Sequence, residues 1–282
     1  MNFLQGASVN NISMIVKKPL AFFLRDIINE SSYKFAFITH FTGIVFSVFS
    51  LYFLSRLIGD AAIPYLKKYG GDYFSFLLIG VALAGYMQAA LSSFSGSIRD
   101  AQTMGTLEAM LITQTAIPTI ILSSSLYNFF ITSIRILIYL VFGALAFGLD
   151  MGDANLPGAL LILGLTVICF SSIGILSASF IMVLKKGDPF NWIFTSASWL
   201  LGGIYYPIAV LPEWVQNLSY LLPITHSLEG MRMALLQGYS TSNLFSSIFP
   251  LMIFTIIMLP LSIWVFKYSV RIAKLNGSLT QY

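Results

Sequence analysis

The sequence predicts an all-α integral membrane protein with six transmembrane helices, an N-terminal amphipathic interfacial helix and an external re-entrant helical hairpin between spans five and six. Three observations predict it. Of 282 residues, 57% are hydrophobic and 9% charged, with a mean hydropathy of +0.84, whereas a soluble domain carries about a quarter charged residues. Six segments hold the roughly twenty mostly apolar residues that a helix needs to cross a bilayer. From the end of the fifth onward, Pro207, Pro212 and Pro223 split an apolar stretch into pieces too short to span, because a helix does not continue normally through proline.

Residues 1–34 form a cytoplasmic arm. Met1 to Asn11 is polar and lacks the apolar core of a signal peptide, and the first long apolar segment is too long to be one, so it is expected to stay attached. Pro19 suits a first helical position. From there Leu20, Phe23, Leu24, Ile27 and Ile28 follow the i, i+3, i+4, i+7, i+8 pattern, with Arg25, Asp26 and Asn29 elsewhere on the surface. Such a helix lies on the membrane surface, either as a simple anchor or as a platform that also touches a cytoplasmic partner.

Residues 35–282 form one integral domain, with spans at Phe35 to Ile58, Tyr73 to Phe94, Thr119 to Phe147, Leu160 to Leu184, Phe190 to Val210 and Ser246 to Phe266. Lys17, Lys18, Arg25, Lys34, Arg99, Lys185, Lys186, Lys267, Arg271 and Lys274 fall on one side. Only Arg56, Lys67, Lys68 and Arg232 fall on the other. The richer side is expected to be cytoplasmic, with both termini inside the cell (inner or plasma) membrane. The net charge of +4 therefore reports membrane orientation and implies no nucleic-acid partner.

Two connections stand out. The 97–113 loop contains Arg99, Asp100 and the run Gly105-Thr106-Leu107-Glu108, in which Thr106 can cap a short helix that Gly105 introduces. An ordinary amphipathic turn would also explain Glu108, through the helix dipole. The 211–238 hairpin is expected to dip into the membrane from outside. Irregular backbone at that depth is tolerated only beside protein or a water-filled cavity, so the hairpin points to a pathway. Glu213, Trp214, His226, Glu229 and Arg232 could close its outer exit through ion pairs or simply solvate its outer face.

Within the spans, Arg135 is the one charge inside an apolar segment, where it either contacts cargo or snorkels. Asn191, Trp192, Thr195, Ser198 and Trp199 give span five a polar and aromatic character suited to an amphipathic cargo, although tryptophan is equally expected as an interface anchor. No catalytic or metal set is expected. His40 and His226 should lie on opposite sides, the lone Cys169 sits in an apolar run, and no G-x-x-x-x-G-K-[ST] phosphate loop is present.

The order and spacing of Gly105-Thr-Leu-Glu-Ala, Tyr206-Pro207, Leu211-Pro212-Glu213-Trp214, Leu222-Pro223-Ile224-Thr225 and Glu229-Gly230-Met231-Arg232 resemble the type-two permease family of ATP-binding-cassette exporters over nearly the whole chain. The resemblance implies that Arg99, Asp100, Gly105, Thr106, Leu107 and Glu108 form a coupling contact with a separate ATPase subunit. It implies two ATPase copies, a second permease copy in a homodimer, and a path beside the first, second and fifth spans. It implies no enzyme activity or cofactor in this chain, with ATP and Mg in the partner, and an amphipathic or lipid-linked cargo (glycan, lipid or drug). The alternatives are an ion-gradient transporter, which usually places ionisable residues near the midplane, and a membrane-embedded lipid-modifying enzyme, which needs a catalytic cluster near one interface.

Overall fold

A computed structural model describes residues 24, 27, 34–70, 72–103, 117–184 and 188–275. They form α1 (Lys34–Leu66), α2 (Tyr73–Thr103), α3 (Ile117–Phe147), α4 (Leu156–Leu184), α5 (Pro189–Leu201), α6 (Glu213–Ser219), α7 (Pro223–Leu236) and α8 (Phe245–Leu275), with 3-10 turns at Lys67–Tyr69 and Ile208–Val210. No strand occurs among the described residues.

Helices α1, α2, α3, α4 and α8 are each long and apolar enough to cross a membrane. They match five of the six predicted spans. The predicted fifth span differs, because Phe190 to Val210 is not one helix. Its helix, α5, has 13 residues and stops at Leu201, a rise of about 20 Å against a hydrocarbon core of about 30 Å. Gly203 then adopts a φ of +78°, which L side chains resist.

Capping fixes where the elements begin. Asp72 accepts from the Ser75 amide at 2.8 Å at the head of α2, and Asn155 Oδ1 accepts from the Gly158 amide at 3.0 Å at the head of α4. Pro189 and Pro223 occupy first-turn positions in α5 and α7, where the missing N–H is no loss.

The hub is α2, with 72% of its span buried, against 44% or less for the other spans. It packs on α1 and α3 at one side and on α4 at the other, and α4 packs on α8. Helix α7 fits against α2, α4 and α8 and is buried over most of its length. The hydroxyls of Thr166 on α4 and Ser227 on α7 meet at 2.8 Å inside this packing. Around it, Phe46, Phe53, Leu57, Leu137, Leu145, Ile256 and Trp264 remain exposed, as helices facing lipid require. Helix α5 stands at the edge, resting chiefly on α4, with Ser198 its one buried residue.

Candidate functional site

Two polar stripes face each other at the amino end of α5. On α2, Gln88, Ser92, Ser95 and Arg99 recur at helical spacing. On α5, Asp188, Asn191, Trp192 and Thr195 do the same. Between them lies a cleft of about 370 Å³. The amino end of α5 is fixed by Asp188, whose Oδ1 accepts from the Asn191 amide at 3.1 Å and from the Ser177 hydroxyl of α4. That places the α5 stripe opposite α2. Thr195 Oγ1 lies 2.9 Å from Asn191 Oδ1 and 3.3 Å from Gln88 Oε1, so the two stripes are in direct contact at the inner wall of the cleft.

The other end of α5 is built around Arg232 of α7, only 2% exposed. Its Nη1 donates to the Gly203 carbonyl at 3.0 Å, its Nη2 to Ile204 at 3.0 Å and Phe76 at 3.1 Å, and its Nε to Phe76 at 3.2 Å. The guanidinium carbon also stands 3.4 Å from the centre of the Phe76 ring, close enough for a cation–π attraction. Tyr73 Oη donates to the next carbonyl, Tyr205, at 2.9 Å. Three consecutive carbonyls released where α5 unwinds are thereby held by side chains of α2 and α7. The approach needs Gly80, because a β-carbon there would collide with the Ile204 carbonyl and stand 2.6 Å from Arg232 Nη2.

Beside this clamp is a smaller cleft of about 120 Å³, lined by Tyr65, Lys68, Tyr69, Tyr220, Glu229 and Arg232 among others. Lys68, in the turn after α1, pairs with Glu229 of α7. Burial opposes the lysine's charge, but the hydrogen bond and charge of Glu229 outweigh it and raise its pKa above the ordinary value.

The predicted site residues are regrouped by the fold. Arg99 and Asp100 are exposed but sit in the last turns of α2, not in a loop, because that helix runs on to Thr103. Arg99 lines the cleft with Asn191, Trp192 and Thr195, which joins a predicted coupling residue to predicted pathway residues. Ser198 is buried with its hydroxyl unpaired, and Trp199 turns to Tyr205, with ring centres 5.3 Å apart. Both are outside the cleft. Arg135, half-buried on α3, does not line it either.

The five predicted gate residues do not form one contact group, although Glu229 and Arg232 line the same cleft. Glu213 and Trp214 are exposed on α6, His226 Nε2 lies 2.9 Å from the Tyr220 carbonyl, and Glu229 pairs with Lys68. Arg232 forms no ion pair among the described residues and is a buried carbonyl clamp. Its charge read as a surface charge in the sequence, since its partners are backbone atoms. Gly105, Thr106, Leu107 and Glu108 lie outside the described residues, as do Leu20, Phe23, Arg25 and Ile28. Leu24 and Ile27 are helical, with Leu24 exposed and Ile27 half-buried. Gln88, Ser92, Ser95 and Asp188 were not anticipated, although the i, i+4, i+7, i+11 spacing from Gln88 to Arg99 was available as a signal.

The profile of the ABC-2 type transporter family matches residues 31–236, more than half of the chain. The chain belongs to that family. It is similar to Nodulation protein J of Sinorhizobium fredii, 26% identical over 171 residues, covering 59% of this chain and 63% of that protein. It is also similar to the probable multidrug ABC transporter permease YbhR of Escherichia coli, 23% identical over 161 residues, covering 56% of this chain and 43% of that protein. The match therefore spans less than two thirds of either relative. The family and the five long apolar helices mark the chain as a membrane protein.

Proposed function

We propose that this chain is the transmembrane permease subunit of an ATP-driven exporter that moves an amphipathic or lipid-linked cargo outward. The observation that carries this is α5, a helix too short to span, with a polar cleft at its amino end and a second cleft at its broken end. A transporter with alternating access needs two openings separated by a movable element. Helix α5 is suited to that part because it is loosely seated at the bundle edge.

The end bearing Arg99 and Asp188 is the cytoplasmic end, on the lysine and arginine bias of the sequence. Helix α2 runs from the Arg232 clamp, through the cleft, to Thr103, and its last turns with Arg99 and Asp100 belong to the 97–113 segment proposed to dock on the ATPase. Movement there would be delivered to both clefts by one helix. The exposed faces of α1 and α5 would meet a second permease copy, giving two permeases and two ATPase subunits, with ATP and Mg bound by the latter.

The test is purification of the full-length chain from its native membrane by a mild tag, followed by mass measurement of the complex and of bound lipid or glycan. Two permeases with two ATPases are expected, together with an amphipathic cargo. Transport by the chain in vesicles that contain no ATPase would overturn the proposal.

A further inference from the structure

We propose that Arg99 and Asp188 form an inner latch, an ion pair that closes the cleft between α2 and α5 in the outward-facing state of the transport cycle. The proposal rests on the permease function above and adds how its inner opening is shut. The two groups carry opposite charge and line the same cleft from opposite helices, yet no ion pair joins them in this structure. Asp188 accepts from the Ser177 hydroxyl and the Asn191 amide through Oδ1 alone, which leaves Oδ2 without a donor among the described residues. The Arg99 guanidinium likewise has no acceptor among them. A carboxylate oxygen and a guanidinium thus share one opening, both unused, and each is a strong charge-assisted partner for the other.

The cleft is a wedge. At its inner wall the stripes touch through the side chains of Thr195 and Gln88, 3.3 Å apart. From that contact Arg99 lies about 16 Å further along α2, and Asp188 about 10 Å back along α5, so the two charges stand toward the open mouth. Asp188 caps α5 and Pro189 occupies its first turn, so the carboxylate moves with the helix. The unwound end of α5 is held by Arg232 through the Gly203 and Ile204 carbonyls. A swing of the amino end toward α2, about the Thr195 and Gln88 contact, brings Asp188 to Arg99. At the outer cleft the corresponding charges, Lys68 and Glu229, are already paired. With the outer pair made and the inner pair unmade, the arrangement is that of an inward-open state, and alternating access requires the inner opening to shut in turn. A partly exposed pair contributes about 0–1 kcal/mol, weak enough to be broken in every cycle.

The latch is tested by thiol modification in inverted native membrane vesicles carrying the full-length chain. In a Cys169→Ala background, Ser92→Cys places one thiol in the cleft wall. ATP with vanadate, in the presence of a protonophore, should slow its reaction with a water-soluble maleimide about tenfold, and Arg99→Gln or Asp188→Asn should each cut that protection about fivefold. Asparagine still caps α5, so the second variant removes the charge and keeps the helix start. The double variant should lose no more protection than either single one, as for two partners of one contact. Arg135→Gln, which removes a cation outside the cleft, should keep full protection. Full protection in either Arg99→Gln or Asp188→Asn, additive losses in the double variant, or an equal loss with Arg135→Gln would overturn the latch, as would unchanged modification under every energy source. Protection that needs both residues but follows an imposed proton gradient, and not ATP with vanadate, would uphold the latch and overturn the ATP-driven function instead.

Discussion

At the broken end of α5 every guanidinium nitrogen of Arg232 has a backbone carbonyl, while at the amino end the guanidinium of Arg99 has no acceptor among the described residues. Arg232 is buried, whereas Arg99 is exposed. The same side chain therefore serves as a strut at one end and lines an open cleft at the other. What separates them is the backbone around each. Arg232 meets carbonyls freed by an unwound helix, but Arg99 projects from a continuous one toward the cleft.

The largest effect should come from removing the strut. Arg232→Met leaves the Gly203 and Ile204 carbonyls without their partners, at about 1–3 kcal/mol for each orphaned group. A clear fall in thermal unfolding temperature in detergent is expected. Arg232→Lys should recover only part of it, because an ammonium cannot reproduce the planar fork. A wild-type melting curve for the methionine variant would mean that the clamp does not hold α5 to α2.

The amino end should behave in the opposite way. Arg99→Gln should leave thermal stability within about 0.5 kcal/mol, as is usual for an exposed side chain without partners, while lowering ATP-driven transport in reconstituted vesicles about tenfold. If stability falls and transport does not, the contrast between the two arginines is wrong.

Asp188→Ala sharpens the comparison further, since it removes the cap that aims the α5 stripe at α2. Loss of an N-cap costs about 0.5–2 kcal/mol. Transport should fall along with stability, and amide hydrogen exchange should rise in the first turn of α5. Unchanged exchange there would show that the helix start is held by something else.

The smallest effect belongs to Lys68 and Glu229. The lysine is 52% exposed, and pairs of that kind contribute about 0–1 kcal/mol. Lys68→Met should shift the unfolding temperature only slightly. Because the folded pKa is raised, the contribution is complete below the ordinary value of 10.5 and is lost as pH rises through the raised value. Stability profiles of wild type and the Lys68→Met variant should therefore run parallel at neutral pH and converge only above that range. Convergence near neutrality would rule out this pair as the cause.

The spans were legible because bilayer thickness imposes a length on apolar segments that survives any tertiary arrangement, which is why Tyr73 and Phe147 mark observed helix ends as they did expected ones. The end of α2 was not. Polar residues from Gln88 to Arg99 lowered its hydropathy, yet they do not interrupt a helix, so it continued to Thr103. Proline spacing signalled irregular backbone after span five, but not that α5 ends at Leu201, before Pro207 is reached. The cleft required knowing which faces of two helices meet.

By itself, then, the sequence determined the membrane class, five of the six spans it predicted, irregular backbone after Pro207 and the family motifs, because length, composition and proline act locally. Only the tertiary structure decided what the charges do. Arg99 joined Asn191 and Thr195 because α2 and α5 turn polar stripes toward each other. Arg232 became a clamp because Gly80 admits the unwound backbone of Gly203 and Ile204 to its side. Both outcomes depend on contacts between segments distant in the chain, and the carbonyls that hold Arg232 become available only where the helix breaks.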